Sequence, residues 1–151
     1  MPQPQWTPQQ IITACEAAFP ANQNACNAFV EAVGATLGVT LTGMADDIVD
    51  QIRSAAWAPI ADGVTAKAKA DQGYFVVAGM KGAEQANPDP HGHVVVVVSG
   101  PLAHGAYPTG YWGKLGGGGA QAQTLNWAWN AQDRDRVTYA CVSQGVDAGD
   151  A

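Results

Sequence analysis

Apolar residues fall at helical spacing through the first half of this 151-residue chain and in short β-branched and aromatic runs through the second. Thr7-Pro8 reads as an N-cap and first helical residue, followed by Ile11, Ile12, Cys15 and Phe19, with Pro20 expected to stop the helix. Asn24 is the expected N-cap of a second helix, which carries Cys26, Phe29, Val30, Val33 and Leu37 on one stripe until Gly38 ends it. Gly43 precedes a third, Asp46 to Arg53, whose acidic start and basic end suit the helix dipole and whose buried face is Ile48, Val49 and Ile52. Val64 to Asp71 predicts a short fourth helix, capped by Gln72-Gly73.

Beyond Gly73 the pattern predicts strands at Tyr74–Ala78, Val94–Val98, Tyr111-Trp112, Trp127-Ala128-Trp129 and Arg136–Val142. The unbroken run Val94 to Val98 is a central strand, apolar on both faces. Helices first and strands second give an α+β domain, with helices packed on a mostly antiparallel sheet and the Cys26 helix against the strand that His93 opens. Pro88-Asp89-Pro90 leads into that strand. Gly116 to Gly119 read as a mobile surface connector, because they lack the Gly-Lys-Ser/Thr of a phosphate loop and its strand-to-helix setting.

With 47% apolar and 13% charged residues, the chain is expected to form one domain over residues 1–151, with room for a buried core. A net charge of -6 and only 7 Lys plus Arg argue against nucleic acid or an anionic membrane as partner, since both rest on clustered cations. Met1 to Pro8 lacks the basic and apolar regions of a secretory signal, so action outside the cytoplasm is expected to need a separate export machine. Three cysteines cannot all pair with one another. Cys26 is taken as free, while Cys15 and Cys141 are either bridged or two buried thiols.

Cys26 and His93 stand in nucleophile-and-base order. A helix start offers N–H groups that favour a thiolate, and an adjacent imidazolium does the same, so a lowered thiol pKa is expected. Such a pair performs acyl transfer, with the Cys26 backbone N–H as one donor to the tetrahedral oxyanion. Gly92, beside His93, admits close approach of backbone or substrate. The group orienting the imidazole stays open among His104, Gln121, Gln123, Asn126, Asn130 and a backbone carbonyl. His91 and His93 share a side only if the strand extends back past Gly92; Pro90 and Gly92 favour an irregular start, and no metal or cofactor is expected. Asp133-Arg134-Asp135-Arg136 reads as a solvated turn with local charge pairs, outside the site.

Cys26-Asn27-Ala28-Phe29-Val30, Gly73-Tyr74-Phe75-Val76-Val77-Ala78-Gly79 and Gly92-His93-Val94 together resemble the papain-like NlpC/P60 cell-wall peptidases. The Leu37-Gly38-Val39 helix exit, Ala78 to Gly82, the long Val94 to Leu102 run, Tyr107-Pro108 and Trp129-Asn130 with Asp133 to Arg136 more closely resemble type VI secretion amidase effectors. The resemblance spans most of the chain. It implies a papain-like fold and a peptidoglycan amidase that cuts stem peptides between γ-D-glutamate and meso-diaminopimelate, in the periplasm of a rival bacterium, after export by the type VI secretion apparatus. It makes Cys26 the nucleophile, His93 the base, and a backbone carbonyl in Tyr111-Trp112-Gly113, taken as that of Trp112, the third element. It also implies a cognate immunity protein that plugs the cleft.

Two departures bear on substrate fit: Cys26-Asn27-Ala28-Phe29 replaces the usual Cys-Ser-Gly-Phe, and the Asp89 to His91 loop is longer. The alternatives are a papain-like hydrolase or acyltransferase acting on a protein amide or lipid, and a non-catalytic wall-binding module with a buried Cys26.

Overall fold

A computed structural model describes residues 4–142; residues 1–3 and 143–151, which include the very start of the stretch read for targeting, lie outside the described residues. Four helices, α1 (Pro8–Asn22), α2 (Cys26–Leu37), α3 (Ala45–Ile52) and α4 (Gly63–Asp71), accompany six strands among these residues. The strands are β1 (Ala58–Ile60), β2 (Phe75–Met80), β3 (His93–Ala103), β4 (Tyr107–Trp112), β5 (Ala120–Thr124) and β6 (Thr138–Val142). They form one sheet in the order β1-β6-β2-β3-β4-β5, with every neighbouring pair antiparallel. The expected α+β architecture is what the chain adopts.

The valine run explains why β3 is central. Side chains alternate across a strand, so Val94, Val96 and Val98 enter the apolar layer built with α1, α2 and α3, while Val95 and Val97 enter a second layer with Ala66 and Ala70 of α4. All five are buried, each contributing roughly 1.5–3 kcal/mol relative to an exposed position. Phe75 and Val77 of β2 join the first layer, and Val76, Ala78 and Met80 the second. Cys15 and Cys141 also belong to opposite layers, so the sheet separates them, and all three cysteines are free. The bridge considered for Cys15 and Cys141 is therefore replaced by two buried thiols.

Several boundaries differ from expectation for local reasons. At the start of α1 a capping box holds the first turn: the Thr7 hydroxyl accepts from the Gln10 N–H at 3.1 Å, and the Gln10 side chain accepts from the Thr7 N–H at 2.8 Å. Pro20 does not end this helix but sits in its last turn, where the Asn22 amide donates to the Ala18 carbonyl and Gln23 donates to the Pro20 carbonyl. Helix α2 is capped by Ala25, not Asn24, and the N-cap residue supplies no side-chain hydrogen bond to the first turn. Gly38 ends it in the left-handed region, with φ of 79°, as the sequence predicts. Trp127 to Trp129 form no strand: Leu125–Trp127 is a 3-10 turn that exposes Trp127 and turns Trp129 inward. Strand β6 begins at Thr138, two residues after Arg136.

The geometry that positions the site lies where β3 and β4 part. Their register pairs Val96 with Tyr111; continued by two residues, it would set Val94 opposite Gly113. The start of α2 occupies that place instead. A Cβ on Gly113 would strike the backbone carbonyls of Asn22 and Ala25, so this glycine lets β4 run directly under the helix start.

Replacing Gly113 by alanine is expected to push the two segments apart and cost about 1–3 kcal/mol, measured as a lower urea midpoint. Thiol titration should count three free thiols in denaturant and one, Cys26, in the native protein.

Candidate active site

Cys26 is the first residue of α2, half-buried, in the turn whose N–H groups have no intrahelical acceptor. Its Sγ lies 4.0 Å from the Gly92 carbonyl, and the N–H groups of Val94, Asn27 and Cys26 itself point at the sulfur. The thiol thus sits beside the first residues of β3, on either side of His93. Asn27 fixes the helix start from its far side by donating to the Gly43 carbonyl at 3.0 Å. That bond uses the first of the two side chains by which the motif departs from the family pattern.

His93 opens β3 and packs edge-on against Trp129, with ring centroids 5.2 Å apart, and against Trp112 at 6.4 Å. By strand alternation its side chain belongs to the layer of Val95 and Val97, which also holds Trp112 and Trp129. The nucleophile candidate comes from a helix on one side of the sheet and the base candidate belongs to the layer on the other, both at the start of β3. Both line one cleft of about 710 Å³, bordered also by Asp46, Lys114, Trp129 and Asp133.

The protonation states differ from the expected thiolate and imidazolium. Burial pushes the Cys26 thiol up, and the three N–H groups only partly oppose it. Burial also pulls His93 down, to about 4, with the positive charge of Lys114 acting in the same direction. At neutral pH the resting pair is a thiol and a neutral imidazole. This is the state in which histidine can act as general base, with charge separation deferred until substrate is bound.

Gly92 does admit a close approach, by the Asp46 carboxylate, with which a Cβ at this position would collide. Asp46 Oδ1 also accepts from the Gly82 N–H at 3.1 Å, so α3 holds both ends of the β2–β3 connection. His91 is exposed and precedes the strand; its N–H donates to Asp89 Oδ1 at 2.8 Å. Among the described residues no group of three or more His, Cys, Asp or Glu side chains is gathered as for a metal ion.

Of the groups considered for orienting the imidazole, His104 lies in the turn after β3, at the opposite end of that strand from His93, against Tyr107. Gln121 and Gln123 are exposed on edge strand β5. Asn126 lies in the 3-10 turn, and the Asn130 side-chain oxygen accepts from the Gln132 and Asp133 N–H groups. Trp112 ends β4 beside the imidazole, buried, with its backbone in register with Ala120 of β5.

The acidic and basic run after Asn130 is a turn with the expected local pair of Arg136 with Asp133 and with Asp135 and Arg136 exposed, but Asp133 itself is buried and borders the cleft. Asp133 is 2% exposed, and its Oδ1 accepts from the Ala86 N–H at 2.8 Å and from Arg136 at 2.7 Å, stapling the β2–β3 connection to the segment before β6. Tyr107 donates to Asp135 at 2.6 Å, and Arg134 stacks over the Tyr107 ring. Alternating charges carry no sign of burial, so Asp133 was not readable as a cleft wall. Lys114, directly after Tyr111-Trp112-Gly113, was readable as the cation of a stretch already singled out.

A helix-flanked antiparallel sheet, with a cysteine at the open end of one helix and a histidine heading the central strand, defines an α+β domain of the papain-like class. No protein-family model matches the chain. Over 146 residues, covering 89% of this chain and 90% of the relative, it is 37% identical to the peptidoglycan amidase Tse1 of Pseudomonas aeruginosa. The chain belongs to the family of type VI secretion amidase effectors.

The buried imidazole makes stability pH-dependent. Because its folded pKa lies below the ordinary 6.5, the unfolded chain binds the extra proton between about pH 6.5 and 4, and folding stability falls as pH drops through that window. His93→Gln is expected to flatten this part of the profile of unfolding free energy against pH; a slope that the substitution leaves unchanged would mean that His93 is not held neutral.

Proposed function

We propose that this protein is a single-domain peptidoglycan amidase. It cleaves the bond between γ-D-glutamate and meso-diaminopimelate in stem peptides by cysteine-histidine acyl transfer. The observation that carries this reading is Cys26 at the uncapped start of α2, opening with His93 onto one cleft, in a chain related over most of its length to a peptidoglycan amidase. In the reaction His93 takes the Cys26 proton as the sulfur attacks the γ-carbonyl carbon. The oxyanion that forms faces the Cys26 backbone N–H at the helix start, where both the N–H and the helix dipole favour negative charge. The imidazolium then protonates the leaving diaminopimelate amine, the C–N bond breaks and a thioester remains. Water, deprotonated by His93, attacks that thioester; the C–S bond breaks and the thiol is restored.

The backbone carbonyl of Trp112 is the proposed orienting group for the imidazole, supported by the position of Trp112 against the His93 ring. The aromatic walls keep the imidazole dry, so the proton it accepts remains available to the leaving group. The protein acts in the periplasm of a target bacterium after export by the type VI secretion apparatus, and a cognate immunity protein blocks the same cleft in the producer. No helix among the described residues is long and apolar enough to cross a membrane.

Mass spectrometry of Gram-negative peptidoglycan is the test. Fragments ending in diaminopimelate with a free amine should appear with the reduced wild type and be absent with Cys26→Ala; His93→Ala should lower kcat/KM by about 10²–10⁴. Intact wall with the wild type would remove the reading and redirect the dyad to protein or lipid acyl substrates.

A further inference from the structure

Six of the seven Lys and Arg side chains are already engaged. Arg53 pairs with Glu84, Lys67 with Asp71, Lys81 with Asp50 and Arg136 with Asp133, while Lys69 and Arg134 lie over the Tyr74 and Tyr107 rings. Among the described residues Lys114 alone has no ion-pair or aromatic partner for its side chain, and it is also the one Lys or Arg that borders the cleft. The cleft carboxylates are in the opposite condition. Asp46 is held by the Gly82 N–H, Asp89 by the His91 N–H, and Asp133 by the Ala86 N–H and Arg136. The negative charges brace loops, and the positive charge is left for a ligand.

Lys114 is also anchored at its base. Its N–H donates to the Gln23 carbonyl at 3.0 Å, fixing its backbone just before α2, and its side chain is exposed. Lys114 borders the cleft that Cys26 and His93 also line, near enough for its charge to act on the imidazole. We propose that Lys114 is a specificity-determining binding residue that pairs with a free carboxylate of the substrate flanking the scissile amide. A lone ammonium among three braced carboxylates suits a single carboxylate and disfavours a polyanion. This deepens the amidase reading and rests on it, because a γ-glutamyl-diaminopimelate segment carries a carboxylate on each side of the bond cut.

The test uses three synthetic stem peptides: one with both flanking carboxylates free, one with the glutamate α-carboxyl amidated, and one with the diaminopimelate carboxyl amidated. At neutral pH, Lys114→Met is expected to raise KM for the fully acidic peptide about tenfold, with kcat little changed, and Lys114→Arg to restore most of the loss. Amidating the carboxylate that Lys114 contacts should raise KM for the wild type by a similar factor and abolish the effect of Lys114→Met, which also identifies the carboxylate. An unchanged KM in Lys114→Met, or an equal rise on all three peptides, overturns the proposal.

Calorimetric titration of the fully acidic peptide into Cys26→Ala, with and without Lys114→Met, separates this from the reaction itself. Binding weakened about tenfold by Lys114→Met, without any cleavage by the wild type, would keep the carboxylate site and reject the bond assignment. Binding that does not depend on Lys114 would reject the site even where the wild type cleaves.

Discussion

The meeting of α2 with the gap between β3 and β4 is the constraint from which the site follows. A sheet with both faces covered leaves its strand ends as the places where backbone can face a cavity. Here one such end is filled by a helix start whose own N–H groups have no intrahelical acceptor. The sulfur of Cys26 partners these groups together with the first N–H of the valine strand. Because Gly113 has no Cβ, the helix can approach closely enough for this. The cysteine owes its place to backbone packing rather than to a network of side chains.

Burial then sets the chemistry. Desolvation acts on Cys26 and His93 in the same sense, against charge, and leaves a neutral pair despite the helix dipole and the ring of N–H donors. An ion pair formed in advance would lie in a cleft bordered by apolar rings and by carboxylates already committed to loops. In the proposed reaction, substrate binding brings an electrophilic carbon to the sulfur and gives the proton transfer its driving force. The charged groups at the rim act mainly on what enters: three aspartates stiffen the walls, and one lysine faces the opening.

Much of this was legible in the sequence, and the unread parts share a physical origin. The stripe from Cys26 to Leu37, the left-handed Gly38 and the five valines are local signals that packing reinforces, so helix, strand and their contact followed from spacing. Pro20 misled because a proline removes a single helical hydrogen bond, and the helix runs only two residues further, where the Asn22 and Gln23 side chains donate to the Ala18 and Pro20 carbonyls of its last turns. Strand β1 is three residues with a proline, and β5 is Ala and Gln with a terminal Thr; both exist because a neighbouring strand offers hydrogen bonds. The indoles of Trp127 and Trp129 have the composition of a strand but are divided between solvent and cleft by a tight turn. Asp133 looked solvated because its partners, Ala86 N–H and the cleft wall, come from 47 residues away.

The separation of Cys15 and Cys141 by the sheet carries a consequence for life in oxidising surroundings. With no cross-link to form, the fold reaches the same end point whatever the redox state around it, and folding waits on no oxidase or isomerase. Both core thiols are sealed in apolar layers that burial keeps protonated, leaving Cys26 as the one thiol within reach of an oxidant. An oxidant entering the cleft would therefore meet the Cys26 thiol while the two core thiols stay protected, and a sulfenic acid formed there has no neighbouring thiol to resolve it. Recovery would depend on small-molecule reductants supplied by the surroundings.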